Sequence, residues 1–304
     1  MTKQIKADMM LLLVTLGWGV SYLLVDISLE DMGSFTLNAN RFLIAFAVAV
    51  ALSYRKLRNI SKETLKYSII LGFLLVFVYI GANLGVQYTT LSNTGFLCGL
   101  SVVFTPILSS VIYKKAPDKK LSIVIIMSFV GIALLTLKDN FAINSENLFG
   151  DSMSIMCAFV YSIDLLITER AVKKEEVNPF QLGILQLGVT GTLNLLLAFI
   201  FEKPNFPTTP NIWASVLFLS IFCTGLAFII QAVAQQYTSA SHVGVIFSLE
   251  TLFAGIVAYI FAREVLTLKS YIGAFLMILS LFIMEVDHRT LLKKLRIKSI
   301  KTSG

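Results

Sequence analysis

Charge is scarce in this chain. Of 304 residues, 14% are Asp, Glu, Lys or Arg, where a soluble domain carries about 25%. Hydrophobic residues make up 56%, and the mean hydropathy is +0.80. That balance excludes a soluble globular domain and implies an integral membrane protein. Histidine is scarcer still, with two, and cysteine counts three. Cys98, Cys157 and Cys223 all lie inside apolar stretches, so they read as small hydrophobes and offer neither a disulfide framework nor a metal site. No Gly-x-x-x-x-Gly-Lys-Ser/Thr run is present, which leaves no ATP motor. Neither His-Glu-x-x-His nor Gly-x-Ser-x-Gly occurs, and the scattered acids supply no nucleophile–base or metal constellation for an intramembrane enzyme. No cofactor is implied. The net charge of +7 does not point to nucleic acid, because the basic residues lie between apolar segments and in the tail.

What the chain has in quantity is apolar segments of spanning length. Ten can be placed, at roughly 9–27, 36–54, 66–86, 94–113, 121–138, 152–169, 180–201, 212–235, 243–262 and 269–286; about 20 such residues cross a hydrocarbon core of roughly 30 Å. The first run is too long for a signal-peptide core and lacks a small-x-small cleavage site after it, so it is expected to remain as a helix. The connections are short, with no soluble domain and no surface typical of a receptor. The longest, from Lys138 to Asp151, is polar and Asn-rich, and the tail from His288 is basic. Lys and Arg fall very unevenly between the loops. Twenty lie at the N-terminus, in the even-numbered loops and in the tail, against four on the alternate side, with Arg41 inside a segment. Both termini are therefore expected in the cytoplasm, with the chain in the inner or plasma membrane.

The two halves resemble each other. Gln87-Tyr88-Thr89 recurs as Gln236-Tyr237-Thr238. At the same offset Ser92 meets Ser241, Gly95 meets Gly244, Leu100 meets Leu249 and Phe104 meets Phe253. Five spans per half is an odd number, so the second half enters the bilayer inverted. The expected fold class is an all-α integral membrane protein of ten transmembrane helices in two inverted five-helix repeats. The first repeat covers 1–140, the second 141–288, and a basic cytoplasmic tail 289–304. Such repeats place their site near mid-membrane, between the halves.

Several residues add a family likeness. Trp18-Gly19 stands in the first span and Asn40-Arg41-Phe42 in the second; Gln87-Tyr88 turns into Asn93-Thr94. Pro106 lies in the fourth span, and Glu264-x-x-Thr267 precedes Gly273. With the number and spacing of spans, this resembles the drug/metabolite transporter superfamily, in its ten-helix branch with two EamA-type repeats, over nearly the whole chain. The resemblance implies ten helices around a central cavity and export or uptake of amino acids and other small metabolites. Two departures stand out: Lys114-Lys115 replaces the glutamate usual after the fourth helix, and Asp26 stands where a lysine is common late in the first. The second of these keeps a family substrate from being carried over.

Glu250, near the middle of the ninth span, is the residue around which the chemistry is read. A carboxylate there costs about 2.5–3.5 kcal/mol on insertion scales, so it should face protein or water. It is either a structural acid paired to a neighbouring helix or a site for a proton or a cationic substrate group. Asp164, in the sixth span, is a second candidate, unless it snorkels or pairs with a basic loop. Two carboxylates in one cavity would suit proton binding, or a cation replacing the proton. Trp18, Tyr22, Tyr79, Tyr161 and Phe247 are candidate cavity walls, since aromatic faces attract organic cations by roughly 0.5–2 kcal/mol; packing is the alternative. Asn83, Gln231 and Gln235 are candidate orienting groups, with interhelical hydrogen bonding as the bland role, and Ser101 is a further candidate at the substrate site. Ser101 corresponds to Glu250 across the repeat, and Pro106 to Gly255, a matched pair of permissive points expected to serve as a hinge. Arg41 is read as structural, snorkelling or pairing with Asp26 or Glu30, and His242 as a polar end residue. Gly81-x-x-x-Gly85 and Gly95-x-x-x-Gly99 are expected to bring the third and fourth spans together.

The function expected is secondary-active, proton-coupled transport of a small polar organic metabolite (an amine, a quaternary ammonium or an amino acid) by alternating access. An uncoupled facilitator or exchanger is the alternative. Expected partners are the small-molecule substrate, the lipid bilayer and protons.

Overall fold

The computed structural model describes residues 3–89, 91–136, 147–261 and 268–285. The side chains at 91–93, 135–136, 254–255, 258–261, 270 and 285 are also left out of the description. Of the expectations above, Glu264, Thr267 and the tail lie outside the described residues. The helices are α1 (Lys3–Leu29), α2 (Ser34–Ser53), α3 (Lys62–Tyr88), α4 (Leu91–Gly99), α5 (Ser101–Tyr113), α6 (Lys119–Thr136) and α7 (Leu148–Val172). They continue with α8 (Pro179–Phe201), α9 (Pro210–Ser220), α10 (Ala227–Ala234), α11 (Ala240–Phe261) and α12 (Leu268–Glu285). α4 and α5 form one span interrupted at Leu100, and a π-helical turn (Ile221–Leu226) joins α9 to α10. Among the described residues twelve helices thus make the ten spans read from the sequence.

Local chemistry sets the helix starts. α8 and α10's partner α9 both begin with proline, whose missing N–H costs nothing in a first turn. Asn178 caps α8 by accepting from the Phe180 and Gln181 amides at 3.1 and 3.2 Å, and Ser61 accepts from the Thr64 amide at 3.0 Å at the start of α3. α2 is capped from a distance. The Glu202 carboxylate, beyond the end of α8, accepts from the Phe35 and Thr36 amides at 3.0 and 2.8 Å, which places negative charge at a helix N-terminus. Lys174, in the α7–α8 connection, donates to Glu63 at 2.7 Å, and that hydrogen bond holds the lysine above its ordinary value.

The packing carries the repeat. α3 lies against α7 and α8, α2 against α8, α1 against α11, and α6 against α12. Exchanging each span with the one five places along maps these contacts onto others that are also present. The α1–α11 contact becomes α7 against α4 and α5, and the α3–α7 contact becomes α9 and α10 against α1. The halves are interleaved through the whole bundle and are not separate bodies. Outward positions are apolar, as at Leu13, Phe73, Ile126, Phe199 and Phe275. Serine, threonine, asparagine and glutamine fill much of the interior. That distribution suits a hydrocarbon surround, where internal polar groups must find partners inside the protein.

The glycine expectation needs correcting. A Cβ on Gly81 would lie 2.7 Å from the Met153 carbonyl oxygen and 3.2 Å from Cys157 Cβ, so Gly81 seats the third span on the sixth, α7, and not on the fourth. Gly85 touches both α7, at Ser154, and α4, at Thr94. Gly99 packs on Ile132 of α6 and Thr251 of α11, while Gly95 has no neighbour among the described residues within 4 Å of its notional Cβ.

Candidate functional site

A cavity of about 100 Å³ lies between the two halves. Helical spacing explains its walls, because residues three or four apart share a face. α1 contributes Trp18 and Tyr22, α3 contributes Tyr79 and Asn83, and α11 contributes Phe247, Glu250 and Thr251. Ser101 enters from the start of α5, Tyr161 from α7, Phe228 from α10, and Gly95 and Gly99 leave room along α4. Eight of the ten residues expected at the substrate site therefore line one space.

The aromatic wall is packed against itself as well as against the void. Trp18 and Phe247 have ring centroids 4.7 Å apart, and Tyr161 stacks on Phe247 at 6.3 Å. Phe42 meets Tyr79 edge-on at 4.7 Å. Trp18 is further fixed by its indole Nε1–H, which donates to the Cys223 carbonyl at 2.7 Å. Asn83 is held by donating to Asn38 Oδ1 at 3.1 Å. Glu250 is half-buried, with the Tyr22 hydroxyl beside its carboxylate, and it lines the cavity together with Ser101.

Asp164 and Gln231 are placed elsewhere. Asp164 is 1% exposed and does not line the cavity, and the side chain of Gln231 lies beside its carboxylate. It sits one turn along α7 from Tyr161, where α10 covers it. Gln231 stands behind the wall, accepting from the Tyr161 hydroxyl at 3.0 Å. Gln235 continues that line by donating to the Leu165 carbonyl at 3.0 Å. Pro106 lies in α5, six residues past the interruption at Leu100. Gly255 is in α11, whose backbone runs helical through it; its surroundings lie outside the described side chains.

Arg41 is the residue that the sequence reading placed wrongly. It is 2% exposed and lines the cavity. Asp26 and Glu30, its expected partners, are exposed. Its Nε–H donates instead to Thr224 Oγ1 at 2.9 Å, and its guanidinium lies 4.7 Å from the centroid of Tyr79. Thr224 belongs to the π turn that also receives Trp18, so one irregular turn anchors two cavity residues from different helices. π turns recur at functional sites. Its extra residue has no marker in Ile-Phe-Cys-Thr-Gly-Leu, but an arginine inside a span was itself a signal. His242, expected as a polar end residue, has Nε2 3.5 Å from a carboxylate oxygen of Asp8, itself 6% exposed in α1.

These features define a polytopic helical membrane protein with an internal repeat and a polar, aromatic-walled cavity between the repeated halves. Residues 5–137 and 148–286 each match the EamA-like transporter family, and the chain belongs to that family. A protein of Archaeoglobus fulgidus named "Uncharacterized transporter" is 29% identical over 93% of this chain and 87% of its own length. The "Uncharacterized transporter YoaV" of Bacillus subtilis is 22% identical over 91% and 96%. A solved crystal structure that is 18% identical superposes with a TM-score of 0.76, over 94% of this chain and 98% of that one. The last comparison supports the fold alone; the family and the named relatives make this chain a transporter.

Proposed function

We propose that the chain is a secondary transporter of the cell membrane, with both termini cytoplasmic, that moves a small polar organic metabolite by alternating access of the two repeats. The observation that carries this reading is Glu250: an ionisable carboxylate at mid-span, opening on an aromatic-walled cavity between the halves. It binds a cationic group of the substrate, or the proton that exchanges with it. Asp164, buried beside Gln231, is the second proton site, linked to the cavity through the Gln231–Tyr161 pair. A buried carboxylate without a cation paired to it among the described residues is costly, which suits a group that takes up and releases a proton or cation during the cycle.

The test is uptake into proteoliposomes with and without an imposed pH gradient. Glu250→Gln is expected to abolish substrate-dependent flux, and Asp164→Asn to remove the response to the gradient while leaving exchange. Unchanged rate and pH dependence in both variants would show the assignment to be wrong. Flux in the wild type that ignores the gradient would favour the uncoupled exchanger, in which the acids only shape the site.

A further inference from the structure

The cavity wall carries two opposite charges that do not meet. Arg41 and Glu250 both line it. The ion pairs among the described residues are Lys173–Glu169, Lys174–Glu63 and His242–Asp8, so neither cavity charge is neutralised by the other or by a third residue. Arg41 spends its Nε–H on Thr224; a guanidinium carries five donor N–H groups, so its terminal nitrogens retain donors in a planar fork that matches a carboxylate. The guanidinium lies over the Tyr79 ring, 4.7 Å from its centroid.

We infer that the substrate is a zwitterion that bridges this gap, with its carboxylate on Arg41 and its ammonium or quaternary ammonium on Glu250. This rests on the transport reading above and narrows its substrate class. A simple organic cation drawn to Glu250 would leave the buried guanidinium unpaired in the same cavity, and a simple anion would leave the carboxylate unpaired. In a site of low dielectric both like-charge contacts are repulsive. Only a molecule with both charges satisfies both walls at once. The cavity volume limits its size, because at about 10–15 Å³ per water-sized place it offers roughly seven to ten such places, the scale of a single small amino acid or betaine.

Three pools decide it, each at the same concentration, by thermal stabilisation of the purified full-length protein. The first holds the neutral L-α-amino acids with glycine betaine and γ-aminobutyrate. The second holds their carboxamides, which keep the cation, and the third the N-acetylated acids, which keep the anion. Wild type is expected to bind the first pool at least about 30-fold more tightly than either other pool, the loss typical when one partner of a buried charge pair is removed. In Arg41→Gln the first pool should fall to the level of the carboxamides, and Arg41→Lys should restore part of the difference. Carboxamides that stabilise wild type as well as the zwitterions would overturn the bridge while leaving Glu250 as a cation site. Preference for the N-acetylated acids would overturn both, as would stabilisation by no pool. The wild-type comparison stands even where Arg41→Gln fails to fold.

Discussion

Gly95→Leu isolates the cavity from the fold. Among the described residues a Cβ at Gly95 would meet nothing within 4 Å, and the residue lines the void. The backbone therefore accepts a side chain there without displacing a neighbour, and the remaining atoms of leucine point into open space. The cavity measures about 100 Å³, or roughly seven to ten water-sized places. Four added carbons occupy close to half of them. A substrate that fills the site must then overlap the new side chain, and overpacking of that kind costs about 1–3 kcal/mol, or roughly 5- to 150-fold in affinity. The unfolding midpoint of the empty protein should stay near that of wild type, while ligand-induced stabilisation and proteoliposome flux fall together. Flux and affinity at wild-type levels would show that substrate passes elsewhere, and the argument from this cavity would fail.

Gly81 provides the opposite case, since its notional Cβ falls 2.7 Å from a backbone oxygen of α7. Gly81→Ala should lower stability by about 1–3 kcal/mol, seen as an earlier thermal transition in detergent; an unchanged transition would mean that α3 and α7 are not so closely seated. Trp18→Phe keeps most of the ring packing but leaves the Cys223 carbonyl without its indole donor. A buried acceptor left unmatched costs about 1–3 kcal/mol, so this variant should also melt early, and full stability would remove the π turn from its anchoring role.

The span pattern was legible because hydrocarbon demands long apolar runs, and ten such runs stand out from a charge-poor background. The repeat was legible from Gln87-Tyr88-Thr89 and its echo at Gln236, a polar match that apolar composition does not generate by chance. Rotation about each helix axis was not legible. Asp164 and Glu250 look alike as acids inside spans, yet one opens on the cavity and the other is covered by α10. Hydropathy contains no term for that phase. Arg41 was misplaced for a related reason: acids near in sequence suggested partners, whereas its hydrogen-bond partner, Thr224, lies 183 residues away in the other repeat. The interruption at Leu100 and the π turn at Ile221–Leu226 depend on what packs around them, and neither has a local signal.

The pseudo-symmetry of the bundle sharpens what the site can be. Ser101 and Glu250 occupy equivalent places in the two repeats, and both line the cavity. Gly95 and Gly244 are also equivalent, but Gly95 opens on the void while Gly244 packs within 3.6 Å of Thr105 Oγ1. Two identical halves would present two acids and no net direction across the site. Here one half supplies the acid and the other supplies a hydroxyl, a guanidinium and empty space. A substrate bound there, as proposed, would be held by unlike chemistry on its two sides. The proposed rocking of one repeat against the other would change the distance between those two sides, which couples the grip on a two-charged substrate to the position of the repeats.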